Sequence, residues 1–379
     1  MKIRLDRSAL AEAVAWAAHA VPARPTVPTL AGLLLTATEG TLTASGFDFE
    51  TSAKFDVEAE VLEPGSVLVS GRLLAEVSRS LPNLPVEIST DASDAVLLCG
   101  ASQFALPSIP LEDHPQLPQM PPAQGTVDGA LFASAVAQVA VAAGRDETLP
   151  ILTGIRLELT NSTLRMVSTD RYRLAVRDIP WRPTNPDMEL NTVALVPAKS
   201  LHEIARSLTK GEQVTISLVP AETAGAGGII GFEAGPRQAT TRLMDATFVK
   251  YHTIFPSEYT GSVVVERVPL LEAAKRVSLV IERNAAMRMT LSPGRIVLDA
   301  GNAVEARGRE TVDAQFDGEE ICLAANPSFL VEGLSAISTP FLELSYTTVS
   351  KPAVFTGRAE PEGEHDPSYR YLFMPLRTH

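Results

Sequence analysis

The chain reads as an α+β protein made of three tandem repeats of one unit, each with two helices and an antiparallel sheet, and two patterns in its 379 residues predict this. The first is a strand pair around a polar corner. Ser162 to Arg177 reads STLRMVSTDRYRLAVR, Gly40 to Val57 reads GTLTASGFDFETSAKFDV, and Gly294 to Val312 reads GRIVLDAGNAVEARGRETV. In each, apolar residues alternate (Leu42 and Ala44, Leu164 and Met166, Ile296 and Leu298), then a corner follows with Asp48, Asp170 or Asn302, then a second alternating run. Period two on both sides of a corner means two half-buried strands. The corners are offset by 122 and 132 residues.

The second pattern is a pair of helices in each repeat. Leu10, Ala13, Val14, Ala17, Ala18 and Val21 have the spacing of one helix face. Phe132, Ala135, Val136, Val139, Ala140 and Ala143 repeat it 122 residues on, and Leu270, Ala273, Ala274, Val277 and Ile281 follow at a further 138. The loops agree, with Pro28 matching Pro150 and Gly32 matching Gly154. A second helix closes each repeat: Val69 to Leu81 and Val196 to Leu208 match at an offset of 127, pairing Arg72 with Lys199, Glu76 with Glu203 and Arg79 with Arg206. The third copy, Leu323 to Leu334, places Asn326 in the basic slot, and strand runs follow at 86–89, 214–218 and 342–346. Proline-rich connectors at 115–122 and around Pro256 divide the chain into domains 1–122, 123–256 and 257–379.

Length and composition agree with several ordinary cores. A chain of this length suits two or three domains. With 45% hydrophobic and 20% charged residues it has globular composition, and it contains no apolar run of membrane-spanning length. The alanine-rich N-terminal run is interrupted by Glu12, has Asp6 before it and recurs downstream, so it reads as a structural helix of a cytoplasmic protein rather than a signal peptide. Cys99 and Cys322 sit in apolar strand runs without a CxxC, and both read as reduced core residues. A net charge of −13 excludes a surface that is basic all round, and leaves room for a local basic face.

Catalytic chemistry is hard to find. The sequence has no GxxxxGK[ST], HExxH, GxSxG or paired CxxC, and its six histidines have no metal-ligand spacing. The glycine-rich 225–231 stretch is not followed by a helix pattern and reads as a hairpin tip. Asp48 and Asp170 read as turn residues that bond their own backbone rather than as acids. The Asn161-Ser-Thr sequon is one in form only for a cytoplasmic chain.

Thr169-Asp-Arg-Tyr-Arg-Leu-Ala175, Tyr371-Leu-Phe-Met-Pro-Leu-Arg377, Arg24-Pro-Thr-Val-Pro28 and the threefold repeat together resemble the bacterial DNA sliding clamps, the beta subunits of DNA polymerase III, in an actinobacterial-looking form. The resemblance covers the whole chain. It implies a non-catalytic processivity factor without cofactor or metal: two chains of three clamp domains join head to tail in a closed ring, helices line the hole, and duplex DNA passes through without sequence preference. It also implies a pocket for short peptides of the polymerase III alpha subunit, the clamp loader, other polymerases, mismatch-repair proteins and ligase, with no membrane partner. The matching positions are Leu152, Thr169, Arg171, Tyr172, Arg173, Leu174, Ile254, Leu372, Met374, Pro375, Leu376 and Arg377. The chain departs from the widespread Thr-Asp-Gly-His-Arg form at Arg171 and Tyr172, and has Val249 where many relatives have Pro. Within the pocket Arg173 is expected to pack its stem along a groove with its guanidinium at the rim, contributing little to folding, and Met374 to sit beside Pro375 at an edge or strand end.

The DNA-facing candidates are Arg24, Arg72, Arg79, Lys199, Arg206, Lys275 and Arg276. Each taken alone reads first as a solvated helix face, and recurrence at the repeat offset shifts that balance for Arg79 with Arg206. Two other classes remain to be separated by experiment. An enzyme on a repeated scaffold needs convergent acid, base or nucleophile groups, and an interaction scaffold without DNA predicts no retention on circular DNA. The sequence leaves open a housekeeping clamp against a specialised or inhibitor-resistant second copy.

Overall fold

The structure, a computed structural model, describes residues 1–376 except 26, 92, 188–189, 209–212, 220–226, 283–284 and 302–305. The helices among them are α1 (Arg7–Ala17), α2 (Gly71–Ser80), α3 (Gly129–Ala140), α4 (Ala198–Ser207), α5 (Arg267–Ser278) and α6 (Pro327–Ala336). Asp6 starts α1 by accepting from the Ser8 and Ala9 amides at 2.8 and 3.0 Å, which satisfies two of the orphan donors of the first turn. The helix buries Leu10, Ala13, Val14, Trp16 and Ala17, then stops, so Ala18 lies in a 3₁₀ turn and Val21 in extended chain. On α3 the expected Phe132, Ala135, Val136 and Val139 are fully buried, as are Leu270, Ala273 and Ala274 on α5.

The predicted strand pairs form at all three places. Thr41–Phe47 pairs with Thr51–Glu58, Thr163–Thr169 with Arg173–Pro180, and Arg295–Gly301 with Arg307–Asp317, each antiparallel. Asn302, the third corner residue, lies outside the described residues. Contacts gather the chain into two compact units that do not follow the repeats. The first holds 1–130, 182–187 and 203–243, and the second 131–181, 188–202 and 244–379. The middle repeat gives strands to both.

In the first unit a single run of 14 antiparallel strands includes a junction between repeats, where Thr51–Glu58 pairs with Arg237–Arg242. Trp16 pins it by donating from Nε1 to the carbonyls of Lys54 at 2.9 Å and Gln238 at 3.2 Å. Arg237 pairs with Glu12 and lies over the rings of Trp16 and Phe55. In the second unit the run has 12 strands, and Arg173–Pro180 pairs with the last strand, His365–Phe373. Here the Tyr369 hydroxyl donates to the Gln138 carbonyl at 3.0 Å and the Tyr371 hydroxyl to that of Phe329 at 2.8 Å. Gly333 lets α6 come this close, since a Cβ there would stand 2.3 Å from the Tyr371 ring.

Three expectations need correction. Asn326 does not occupy the basic slot of the third copy: it is the N-cap of α6, accepting from the Ser328 and Phe329 amides, as Ser70 caps α2 by accepting from Leu73. The helices therefore align two residues later, and Ser328 stands where Arg72 and Lys199 stand. Cys322 is exposed on the outermost strand of its sheet, because alternation there turns it away from the core that holds Leu323; Cys99 is buried as expected. The hairpin tip is shorter than the 225–231 stretch: Ile229 to Gly231 belong to the strand Ile229–Ala234, which pairs with Gln213–Val219, and residues 225 and 226 are outside the described residues.

Candidate peptide site and basic helix faces

The corner 170–173 organises the candidate site. Asp170 accepts through Oδ1 from the Tyr172 and Arg173 amides at 3.0 and 2.9 Å, the backbone-bonding role read from the sequence. Thr169 is buried and donates to the Arg173 carbonyl at 2.6 Å. This geometry leaves Arg171 at φ 79, a left-handed conformation that costs a non-glycine residue roughly 1 kcal/mol.

Strand alternation then sends Arg173 and Leu174 to opposite faces. Leu174 joins Leu372, Val167, Val176, Leu195, Val354, Phe248 and Tyr251 in an apolar cluster, with Ile151, Met244, Val249 and Phe255 packed against it. Ile254, 36% exposed, follows Tyr251 in the same segment. Arg173 points instead to the helix side. It is 4% exposed, its Nε donates to Asp170 Oδ2 at 2.9 Å, it pairs with Glu332 of α6 at 2.5 Å, and its guanidinium lies 4.3 Å from the centre of the Phe329 ring. The expectation of a guanidinium at a rim with little part in folding is therefore overturned. A desolvated cation satisfied by two carboxylates and an aromatic face holds a strand of the second repeat to a helix of the third.

Above Arg173 opens a cavity of about 340 Å³, lined by Gly144, Arg145, Asp146, Leu149, Leu152, Asp170 to Arg173, Ser328, Phe329 and Glu332. Two of its lining residues, Arg145 and Glu332, form an ion pair at 3.1 Å. Tyr172 is 54% exposed and stacks near Phe329, with ring centres 6.5 Å apart. The Asp146 carboxyl sits below its usual range because the Thr148 hydroxyl and amide donate to it, with the charge of Arg171 adding. A second cavity of about 530 Å³ shares Ser328 and Glu332 with the first and is lined by Leu376.

The structure thus brings Leu152, Arg171, Tyr172 and Arg173 to one cavity, Leu376 to its neighbour, and Leu174 and Leu372 to the apolar cluster. Met374 is half-buried just past the end of the last strand, its amide donating to the Tyr172 carbonyl at 2.8 Å, and Pro375 is buried. That strand lies between two others, so the strand-end reading of Pro375 holds and the edge reading does not. Arg377 lies outside the described residues. Sequence reasoning missed Phe329 and Glu332. One signal was available for Phe329: an aromatic where the aligned helices carry Leu73 and Ser200.

The basic candidates Arg24, Arg72, Arg79, Lys199, Arg206, Lys275 and Arg276 are all exposed. Three are already partnered: Arg72 by Glu76 at 3.1 Å, Lys275 by Glu272 at 2.8 Å, and Arg276 by both oxygens of Glu310 at 2.8 and 3.1 Å. Among the described residues Arg24, Arg79 and Lys199 have no ion pair.

The fold places the chain in a class first: proteins built of repeated units of helices packed on antiparallel sheets. The comparisons with known proteins are more specific. The DNA polymerase III beta subunit family matches in three successive pieces, its N-terminal domain over residues 1–118, its central domain over 126–250 and its C-terminal domain over 252–377. The beta sliding clamp of Streptomyces coelicolor is 54% identical over 378 residues, covering 100% of this chain and 99% of that protein. The beta sliding clamp homolog GriR of Streptomyces muensis is 40% identical, with 100% of both chains covered. Among solved structures, a sliding clamp of Pseudomonas aeruginosa bound to griselimycin superposes with a TM-score of 0.90 at 26% identity over the full length of both chains. The clamp of Bacillus subtilis does so with a TM-score of 0.91 at 24% identity, again over 100% of each chain.

The chain belongs to the bacterial beta sliding clamp family, the beta subunits of DNA polymerase III. It is accordingly a non-catalytic processivity factor of DNA replication.

Proposed function

We propose that two copies of this chain close head to tail into a ring around duplex DNA. The observation that carries this reading is the sheet junction that recurs inside the chain. Phe55 pairs with Arg237, and Arg177 with Tyr369, at equivalent places of successive repeats. The third copy of the donor strand, Arg307–Asp317, pairs along 307–313 with Arg295–Gly301 on one side only, and Ser102–Ile109 has no strand partner outside Asp94–Cys99 from 102 to 107, among the described residues. Repeating the junction once more joins these two edges in different copies. Phe104, 39% exposed, then comes under cover. A heterologous contact of this kind closes into a ring when its rotation fits.

The domain division 1–122, 123–256 and 257–379 belongs to the same reading, as does a cytoplasmic location. Arg24, Arg79, Arg206 and Lys199 face the DNA phosphates, Arg72 and Lys275 leave their exposed carboxylate partners at little cost when phosphate arrives, and Arg276 turns to phosphate from the half-buried Glu310. The apolar cluster and the Phe329 cavity receive short peptides of the polymerase III alpha subunit, the clamp loader, other polymerases, mismatch-repair proteins and ligase, contacting Leu152, Thr169, Arg171, Tyr172, Leu174, Ile254, Leu372, Met374, Pro375, Leu376 and Arg377. Loaded protein is expected to stay on nicked circular DNA and to leave after linearisation; equal loss from both overturns encirclement. A second reading, a specialised or inhibitor-resistant copy, is favoured by Arg171 and Tyr172 at the cavity rim and by the 40% identity to GriR. Complementation of a strain depleted of its own clamp, with and without griselimycin, separates the two.

A further inference from the structure

The segment 244–255 forms one wall of the apolar cluster, yet a single 3₁₀ turn, Tyr251–Thr253, is its only regular structure. Phe248, Met244, Val249 and Phe255 pack it against the cluster, and one buried side chain gives it a polar tie to the sheet. Tyr251 is 2% exposed, and its hydroxyl donates to Glu158 Oε2 at 3.0 Å. Glu158 is held in turn by Arg156 Nε at 2.6 Å, on the same strand. The register sets Glu158, Arg165 and Asp178 side by side across three strands, and Arg165 grips Asp178 through Nε and Nη2 at 2.6 and 2.7 Å. A polar row with matched charges thus borders the apolar floor of Val167, Val176 and Leu174, and Tyr251 bridges from the wall to that row. Burial and the nearby Glu158 carboxylate push the Tyr251 hydroxyl up to about 12, so it stays a donor at neutral pH. The backbone adds little: Met244 donates to the Leu195 carbonyl at 2.8 Å and Ile254 to that of Tyr251 at 3.0 Å. Downstream, Arg370 lies 4.5 Å from the centre of the Phe255 ring.

We propose that Tyr251 and Glu158 are positioning residues of the peptide groove: their hydrogen bond fixes the wall that carries Phe248, Val249 and Ile254, and thereby sets the affinity for partner peptides. This rests on the groove being the peptide site proposed above. The segment lacks a ladder of its own, so its distance from the sheet is set by its anchor, and a wall that must be ordered on binding costs affinity.

Tyr251→Phe keeps the ring and removes the hydroxyl, and with it the bond to Glu158 and the contact with Arg165. It is expected to weaken binding of a polymerase C-terminal peptide about tenfold, and to speed hydrogen exchange of the amides from 248 to 254 in the free protein, with the Arg173–Pro180 strand unchanged. Glu158→Gln keeps an acceptor and is expected to retain more affinity than Glu158→Ala. Unchanged exchange in 248–254, or wild-type affinity in a folded Tyr251→Phe, overturns the proposal. If instead the wild-type chain binds no peptide while exchange responds as expected, the peptide-site reading fails and the anchoring of the segment stands.

Discussion

Two corners of the molecule, Asp48 to Thr51 in the first unit and Asp170 to Arg173 in the second, share one backbone and differ in what surrounds it. In both, the aspartate accepts from the amides two and three residues on. Both hold a non-glycine residue in left-handed conformation, Phe49 at φ 75 and Arg171 at φ 79. Both receive an amide from the strand alongside, Arg242 to the Glu50 carbonyl at 3.0 Å and Met374 to the Tyr172 carbonyl at 2.8 Å. The side chains part company there. Arg242 folds its guanidinium back on its own corner, donating from Nε to the Phe49 carbonyl at 2.8 Å, whereas Met374 brings no charge. Thr51 occupies the place of Arg173, and only the second corner gains the ion-paired arginine and the cavity over Phe329. The repeat dictates the turn; the side chains at 51 against 173 and at 242 against 374 set the two corners apart.

The largest expected effect of breaking this contrast is on stability. Arg173→Ala leaves Asp170 and Glu332 without their shared cation and removes the cover from Phe329, which should cost about 3 kcal/mol, since breaking a buried pair strands its partner charges. Glu332 is partly exposed and keeps Arg145, which moderates the loss. Thr51→Ala at the first corner should stay under about 1 kcal/mol. Denaturant titration of both variants measures the difference, and equal small losses would reject the structural role of Arg173.

Alkaline pH should separate the units as well. All six tyrosines belong to the second unit. Burial raises Tyr369 well above its ordinary value and raises Tyr371 too, while Tyr251 reaches about 12. A phenol raised in the folded state keeps its proton where the unfolded chain has lost it. Stability from these groups is therefore whole below about pH 10 and falls as pH rises above it. Exchange rates followed from pH 8 to 11 should show the second unit loosening first.

A smaller effect concerns the turn itself. Arg171→Gly relieves the left-handed strain and should be neutral or stabilising by up to about 1 kcal/mol, the gain being offset by the added freedom of the unfolded chain. Phe49→Gly should do worse, because Phe49 packs edge-on against Phe47 at 5.7 Å. Thermal melts of the pair test whether the two corners carry equal strain.

What the sequence made legible follows from period. Strand pairs and helix faces repeat every two or about 3.6 residues, so burial of Leu164 and Met166, or of Phe132 and Val136, could be read locally. The corner aspartates were readable because their partners are two and three residues away. Arg173 was misjudged because its deciding partners lie in another repeat, Glu332 standing 159 positions along the chain. The basic slot of the third copy falls at Ser328, two residues after Asn326, because Asn326 is the cap, and a cap and the surface position two residues on both take polar side chains. Cys322 shows the same limit: an apolar run on the outermost strand gives alternate residues to solvent, and only the strand order shows which strand is outermost.

Calorimetric titration with a polymerase C-terminal peptide decides whether the second corner alone is a peptide site. One peptide per chain is expected. Met374→Ala should lose about ten- to hundredfold in affinity, for ~1–3 kcal/mol of apolar contact, Met374→Arg should abolish binding, and Arg242→Met should leave it unchanged. Two peptides per chain, or wild-type affinity in a folded Met374→Arg, would contradict it.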